Sequence, residues 1–340
     1  MVLSSVNNDI KTNLDDAQVF GINADASMFD ILSKKLYSNP IQSVIRELVS
    51  NAIDANTAAG QEDPIQVHFP NDADPTFWVR DTGVGMDAEK LMNVFTYGGS
   101  DKRDTNKQIG GLGVGAKSPF SVTDSFTVES TKDGVKRTAI CFRGPDGCPR
   151  FKMIGEEEGF VNGTKIYFNV SASNFYNYIY ESVPVFAFAK QMPEILNGKE
   201  KFLEEVDCTS IEEFEKIREL LKKDAKYKSY YYSRNELTEQ EQLETKLIRN
   251  ITRRFSGVIV DMGGVPYDVD ISQVFDEYAA SSFFHNDASS AVTILHFPIG
   301  SLNFQASREK LNYTEETKQK LRRKLINFAA HKDYEILKSA

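Results

Sequence analysis

Cysteine is scarce: the chain has three in 340 residues, Cys141, Cys148 and Cys208. Their odd number and the lack of a C-x-x-C pair argue against a disulfide framework or a cysteine-based zinc site, and fit a reducing compartment. No apolar run approaches the ~18 residues needed to span a bilayer. The opening MVLSSVNNDIKTNLDD lacks the apolar core of a signal peptide, so a cytoplasmic location is expected. An excess of positive charge is also missing. Forty Lys and Arg against 49 Asp and Glu give a net charge of −9, which argues against broad nucleic-acid binding, since phosphate neutralisation needs a basic face. Neither an internal repeat nor a low-complexity tract is present. What remains is an ordinary globular composition, 41% hydrophobic and 26% charged, with length for two domains or one large one.

Helical periodicity is plain in 40-PIQSVIRELVSNAIDANTAAG-60, where Ile41, Val44, Ile45, Leu48, Val49 and Ile53 form an apolar stripe between a starting proline and a closing glycine. A shorter helical pattern precedes it from Ser27 to Tyr37. Strands are expected at 65–69, 76–80, 124–130, 135–142, 150–154 and 164–170, with a weak helix at 87–95 and a short one near Ala116–Phe120. Helices are expected at 173–190, 211–224 and 238–255, then a hairpin at 258–269, a strand at 292–297 and a last helix from Thr314 to about Ala330. Helices followed by an antiparallel run predict an α+β sandwich with helices on one face. The expected division is an arm at 1–25, a first domain at 26–190 and a second at 191–340.

The densest glycine cluster is 108-QIGGLGVGAKSPF-120. A P-loop requires lysine directly after its last glycine, but Ala116 separates Gly115 from Lys117. A dinucleotide fingerprint requires G-x-G-x-x-G after a strand. Here Gly111, Gly113 and Gly115 read G-x-G-x-G after a long polar loop. A bare hinge would be a costly use of four glycines in six residues, given the entropy lost on ordering them.

Three other features bear on that loop. In 47-ELVSNAIDA-55, Glu47, Asn51 and Asp54 fall at i, i+4 and i+7, on one side of a helix. They form either a solvated face or a metal-assisted hydrolytic pair, with an amide oxygen for Mg²⁺ and a carboxylate for a water. Directly after a strand, 81-DTGVGM-86 offers an acid followed by two glycines. It is either a plain turn or an acceptor for a base amino group. The third, 162-NGT-164, says nothing alone.

In this order the motifs resemble the Bergerat-fold ATPase superfamily of gyrase B, Hsp90, histidine kinases and MutL, over roughly residues 25–170. The resemblance implies an N-terminal Bergerat-fold α/β sandwich binding ATP and Mg²⁺. Glu47 would be the general base, Asn51 the Mg²⁺ ligand and Asp81 the adenine reader. Asp54 belongs to the same first motif and is counted with the site. Gly83, Gly85 and Met86 would shape the adenine pocket, and Thr164 would support Asp81 by hydrogen bonding. A lid at about 95–118 would present Gly110, Gly111, Gly113, Val114 and Gly115 to the phosphates. Lys117 would either reach a phosphate or cap its short helix, and Lys102 and Arg103 are equally open. The glutamate favours hydrolysis over kinase chemistry, and the scattered His68, His285, His296 and His331 form no phospho-acceptor box.

In the second half, 299-IGSLNFQASREKL-311 resembles the Hsp90 middle domain, which implies a second α/β domain of that kind. By that resemblance Arg308 would reach the γ-phosphate, where such fingers contribute on the order of 10³–10⁵ in rate. The alternative is that Ser307 caps the final helix, with Arg308 and Glu309 exposed in its first turn. The runs 97–126, 35–55 and 300–309 also resemble the rIIA proteins of T4-like phages. That family implies a role in prophage exclusion or lysis, an rIIB partner and association with the host membrane; this chain is shorter than its members. Proteins of the superfamily usually dimerise, which makes a homodimer the expected assembly. The basic stretches 246–255 and 318–325 are either solvated faces or contacts to DNA or an anionic surface. Two further readings stand beside an ATPase switch: a nucleotide-binding interaction module, and a DNA-acting ATPase.

Overall fold

The helix α1, Pro40–Ala59, is bounded by strong local signals. Asn39 accepts from the Gln42 amide as N-cap, Pro40 opens the first turn, and Gly60 closes the helix in the left-handed region at φ 68°. Its apolar stripe of Val44, Ile45, Leu48, Val49, Ala52 and Ile53 is buried. The computed structural model describes residues 29–31, 37–95, 115–222, 239–275, 293–305 and 307–339. The expected arm and most of the expected lid lie outside these, as do most residues of the helix expected at 27–37.

Strands follow at β1 Gln66–His68, β2 Thr76–Arg80, β3 Ser125–Lys132, β4 Val135–Arg143, β5 Pro149–Glu158 and β6 Gly163–Asn169. The helix α2, Ala88–Phe95, and a 3₁₀ segment, Gly115–Ser121, intervene between β2 and β3. After β6 come α3, Phe175–Phe188, β7, Glu194–Asn197, α4, Lys199–Val206, α5, Ile211–Lys222, and α6, Glu239–Thr252. Among the described residues, β1 to β7 form one sheet in the order β5-β4-β3-β6-β2-β1-β7. All its pairings are antiparallel except β1 with β7.

This is the expected α+β sandwich. Alternation turns Phe126, Val128 and Ser130 of β3 to the buried side, and α1 and α3 pack on that layer. Its centre is aromatic: Phe77 lies 4.8 Å from Tyr178 and 5.7 Å from Phe168 between ring centroids. The four-residue β7 and α4 were not anticipated. Both lie past residue 190, yet β7 extends the first sheet, and Phe202 of α4, Phe214 of α5 and Leu247, Ile248 and Ile251 of α6 join the same core.

A second, smaller core surrounds a three-stranded sheet in the order β10-β8-β9, made of β8 Val258–Met262, β9 Pro266–Asp268 and β10 Thr293–Phe297. The short α7, Ile271–Val274, follows β9, and α8, Glu315–Ser339, ends the chain. Leu321 and Leu325 of α8 pack into this core with Val258, Val260 and Leu295. The last helix is longer than expected.

Candidate functional site

Residues 43, 47, 51 and 55 recur every four positions and so line one face of α1. From Glu47 to Ala55 that face runs about 12 Å along the axis. At its far end Ala55 touches the loop after β2: a Cβ added to Gly83 would lie 2.9 Å from Ala55 Cβ and from its carbonyl. At its near end sits Gly115, where an added Cβ would lie 2.4 Å from Glu47 Oε2 and 3.6 Å from Asn51 Nδ2. The 3₁₀ segment therefore brings the end of the glycine run directly onto the Glu47–Asn51 pair.

Asp81 leaves β2 with its carboxylate turned inward. Its Oδ1 accepts from the Gly83 amide at 2.9 Å and the Thr164 amide at 3.1 Å. Burial pushes the carboxyl up to about 6, and those two amides only partly offset this. Thr164 thus supports Asp81 through its backbone, while its hydroxyl meets Ser130 Oγ at 2.9 Å. Ser130 Oγ also accepts from the Met86 amide at 2.9 Å, tying β3 and β6 to the loop after β2. Close backbone approach explains two glycines here. Gly85 has φ 67°, with the Thr131 carbonyl oxygen 1.8 Å from where a Cβ would stand, and Gly163 has φ 138°, with the Asp81 carbonyl oxygen at 2.1 Å.

The loop 303–312 reaches this site from the second core. A bridge between Phe304 and Leu311 and a bond from the Gln305 amide to the Lys310 carbonyl at 2.9 Å close it into a tight turn. Arg308 stands at the tip in the left-handed region, φ 57°. Its Nη1 lies 3.6 Å from Glu47 Oε2, and Arg46 Nη2 lies 3.6 Å from Glu47 Oε1. Arg46 Nη2 also donates to the Ser307 carbonyl at 3.1 Å. Ser307 and Arg308 are buried and the final helix begins only at Glu315, where Thr314 accepts from the Thr317 amide. The alternative of Ser307 as its cap with an exposed Arg308 is corrected by this turn.

Two expected contributors have other partners. Asp54, at i+7 from Glu47, lies on the same side of α1 about two turns further on. It approaches Lys190 Nζ at 4.0 Å and lines a narrow crevice with Arg46, Ser50 and Gly264. Lys117 is buried, donates to the Val94 carbonyl at 2.8 Å, and has its ammonium pulled down to about 8 by burial. It anchors the end of α2 instead of presenting its charge outward. Gly110, Gly111, Gly113 and Val114, with Lys102 and Arg103, lie outside the described residues.

Residues 37–143 match the family described as histidine kinase-, DNA gyrase B-, and HSP90-like ATPase. That match supports reading the α+β sandwich described above as a Bergerat fold. The chain is also similar to chaperone protein HtpG of Polaromonas sp., 32% identical over 165 residues, 42% of this chain and 26% of the relative. The HtpG of Rickettsia canadensis is 29% identical over 167 residues, covering 42% and 26%. That of Francisella tularensis subsp. novicida is 34% identical over 132 residues, covering 32% and 21%. The chain spans about a quarter of the length of the first two relatives. These matches carry the Bergerat-fold and Hsp90-like expectations; they lend no support to the phage role.

Some residues that build the candidate site escaped sequence reasoning. Asn56 Oδ1 accepts from the Thr82 amide at 2.8 Å and its Nδ2 donates to the Asp63 carbonyl at 3.0 Å, locking the loop after β2 to the end of α1. An asparagine near a helix end reads as an ordinary terminator. Ser130 did leave a signal, a small polar residue in the buried phase of an alternating strand. Arg46 left none.

The two basic stretches are substantially engaged within the protein. Arg254 Nη2 meets Glu205 at 2.7 Å and its guanidinium stacks 3.8 Å over Tyr180, while Arg253 also reaches Glu205. Arg322 donates to the Val274 carbonyl at 2.6 Å, Lys320 to the Ser301 carbonyl at 2.7 Å, and Lys324 to the His296 carbonyl. Among the described residues no helix is long and apolar enough to cross a membrane.

Proposed function

We propose that the chain binds ATP along the 47–51–55 face of α1 and hydrolyses it, so that nucleotide state sets how the second unit seats on the Bergerat-fold domain. The observation that carries this reading is the meeting of Glu47 with Arg308 at one end of that face, with buried Asp81 beyond its other end. Asp81 accepts the adenine amino group, and its raised carboxyl is ionised at neutral pH. Gly115 lets the backbone pack against Glu47, where a side chain would collide with Oε2 at 2.4 Å, and beside Asn51. Mg²⁺ would be held there with Asn51 as its protein ligand. It binds well through one or two protein oxygens plus phosphates and waters, and no cluster of three or more His, Cys, Asp or Glu side chains suited to a metal occurs among the described residues. When bound, the ion neutralises phosphate charge.

Glu47 orients a water and takes its proton as the water oxygen attacks the terminal phosphorus. The bond to the bridging oxygen breaks, and ADP and phosphate leave. Arg308 answers the charge spreading over the transferred group. In this structure Arg46 and Arg308 hold Glu47. The anionic end of the nucleotide competes for Arg308 and frees the carboxylate to face water. A homodimer is the assembly in which such a change propagates.

The test is ATP turnover and nucleotide binding in the parent protein and in Glu47→Ala. Turnover is expected to vanish in the variant with binding kept. Tight binding without turnover in the parent would leave an interaction module and sink the enzymatic reading. A finer placement rests on the sequence runs shared with the rIIA family alone: a phage protein countering prophage exclusion or affecting lysis, with an rIIB-like partner and a membrane surface. Failure to complement an rIIA-deleted phage on a prophage-bearing host would remove it.

A further inference from the structure

The residue beside Arg308 grips α1 more fully than Arg308 does. Glu309 Oε1 accepts from the Asn39 amide at 2.8 Å and from Ser43 Oγ at 2.9 Å. Its Oε2 accepts from the Ser38 amide at 2.7 Å and from Ser38 Oγ at 2.9 Å. One carboxylate thus fills its roughly four acceptor positions with donors from the entry and first turn of α1. The unpaired amides and the positive end of the helix dipole favour an anion there. The Asn39 side chain does not compete for these donors: its oxygen takes the Gln42 amide at 3.2 Å and its nitrogen donates to Glu181 at 2.8 Å. Burial by itself would raise the Glu309 carboxyl. The amides of Ser38 and Asn39 and the hydroxyls of Ser38 and Ser43 outweigh it and hold the group below the usual carboxylate range. The anion is therefore in place throughout the neutral range.

The geometry sets a register. Ser43 and Glu47 are i and i+4, one turn apart on the same face of α1. Glu309 binds the first and Arg308 the second. The left-handed backbone at Arg308 lets two consecutive side chains of the turn engage positions one helical turn apart.

We propose that Glu309 is a positioning residue for the reaction: its clamp on Ser38, Asn39 and Ser43 fixes where the Arg308 guanidinium stands relative to Glu47. This rests on the reading of Glu47 and Arg308 given above. Glu309→Gln keeps the size of the side chain but turns one acceptor into a donor facing donors. It is expected to lower kcat by on the order of 10²-fold, the loss that follows a displacement of about 1 Å, with nucleotide Kd unchanged. In an Arg308→Ala background the same change is expected to add little, because both act through one contact. Full additivity of the two losses, or a Kd that weakens as much as kcat falls, would overturn the proposal. Amide exchange reads the clamp without turnover. Ser38 and Asn39 are expected to exchange about 10-fold faster or more in Glu309→Gln, as local opening becomes easier, and unchanged protection would also overturn it. If Glu47→Ala retains turnover while Ser38 and Asn39 do respond, the hydrolytic reading fails and the clamp itself survives.

Discussion

Asp81→Asn should make the protein more stable and less able to bind nucleotide at once. The carboxylate is buried, is held by two backbone amides on one oxygen, and has its pKa pushed from 3.8 to about 6. That rise means the ionised form costs the folded state about 3 kcal/mol at neutral pH relative to the unfolded chain. Asparagine keeps the accepting oxygen and removes the charge. Its new NH₂ needs a partner in a buried place, which returns part of the gain, so a net stabilisation of about 1–3 kcal/mol is expected at pH 7. The second position of the side chain now donates where adenine also donates, and ATP affinity should fall by on the order of 10²-fold. The sign of the pH dependence follows from the raised pKa. Between 3.8 and about 6 the folded state binds more protons than the unfolded one, so Asp81 makes stability decline as pH rises through that window. The variant lacks this contribution. Trp78, the single tryptophan, lies in β2 three residues before Asp81 and reports urea unfolding; calorimetry without urea gives the ATP affinity. A variant that loses more than about 1 kcal/mol without nucleotide, or one that binds ATP like the parent, would refute the reasoning.

Gly163→Ala should destabilise the Bergerat-fold domain by about 2 kcal/mol or more, since the methyl meets the Asp81 carbonyl and the backbone conformation is strained for any side chain; a urea midpoint equal to that of the parent would contradict this. Phe202→Ala, which empties a fully buried place between Phe186 and Phe214, should cost about 3–5 kcal/mol. Because α4 shares the first core, the loss should appear in the transition reported by Trp78, and a change confined to a separate transition would place α4 elsewhere.

Much of this arrangement was legible because it is local. Pro40 and Gly60 bound α1 as their backbone preferences require, and β2 spans the expected 76–80 because its alternation is clean. Glu47, Asn51 and Asp81 stood out as polar groups in a helix and at a strand end whose spacing is set by neighbours in the chain. Locality also marks where the reading stopped. The four residues of β7 are too few to show a period, and their strand character comes from pairing with β1, over 120 residues away. Asp54 shares the side of Glu47 by its spacing, but its approach to Lys190 at 4.0 Å, across more than 130 positions, is set by tertiary packing. The hold of Glu309 on Ser43 spans 266 positions and leaves no pattern in either segment. The sequence by itself determined which groups are present and how each sits on its own element, since helix and strand periods are properties of a few consecutive residues. Only the tertiary structure decided which of them meet, because a carboxylate and its donors drawn from opposite ends of a chain are brought together by the packing of two cores and not by their spacing.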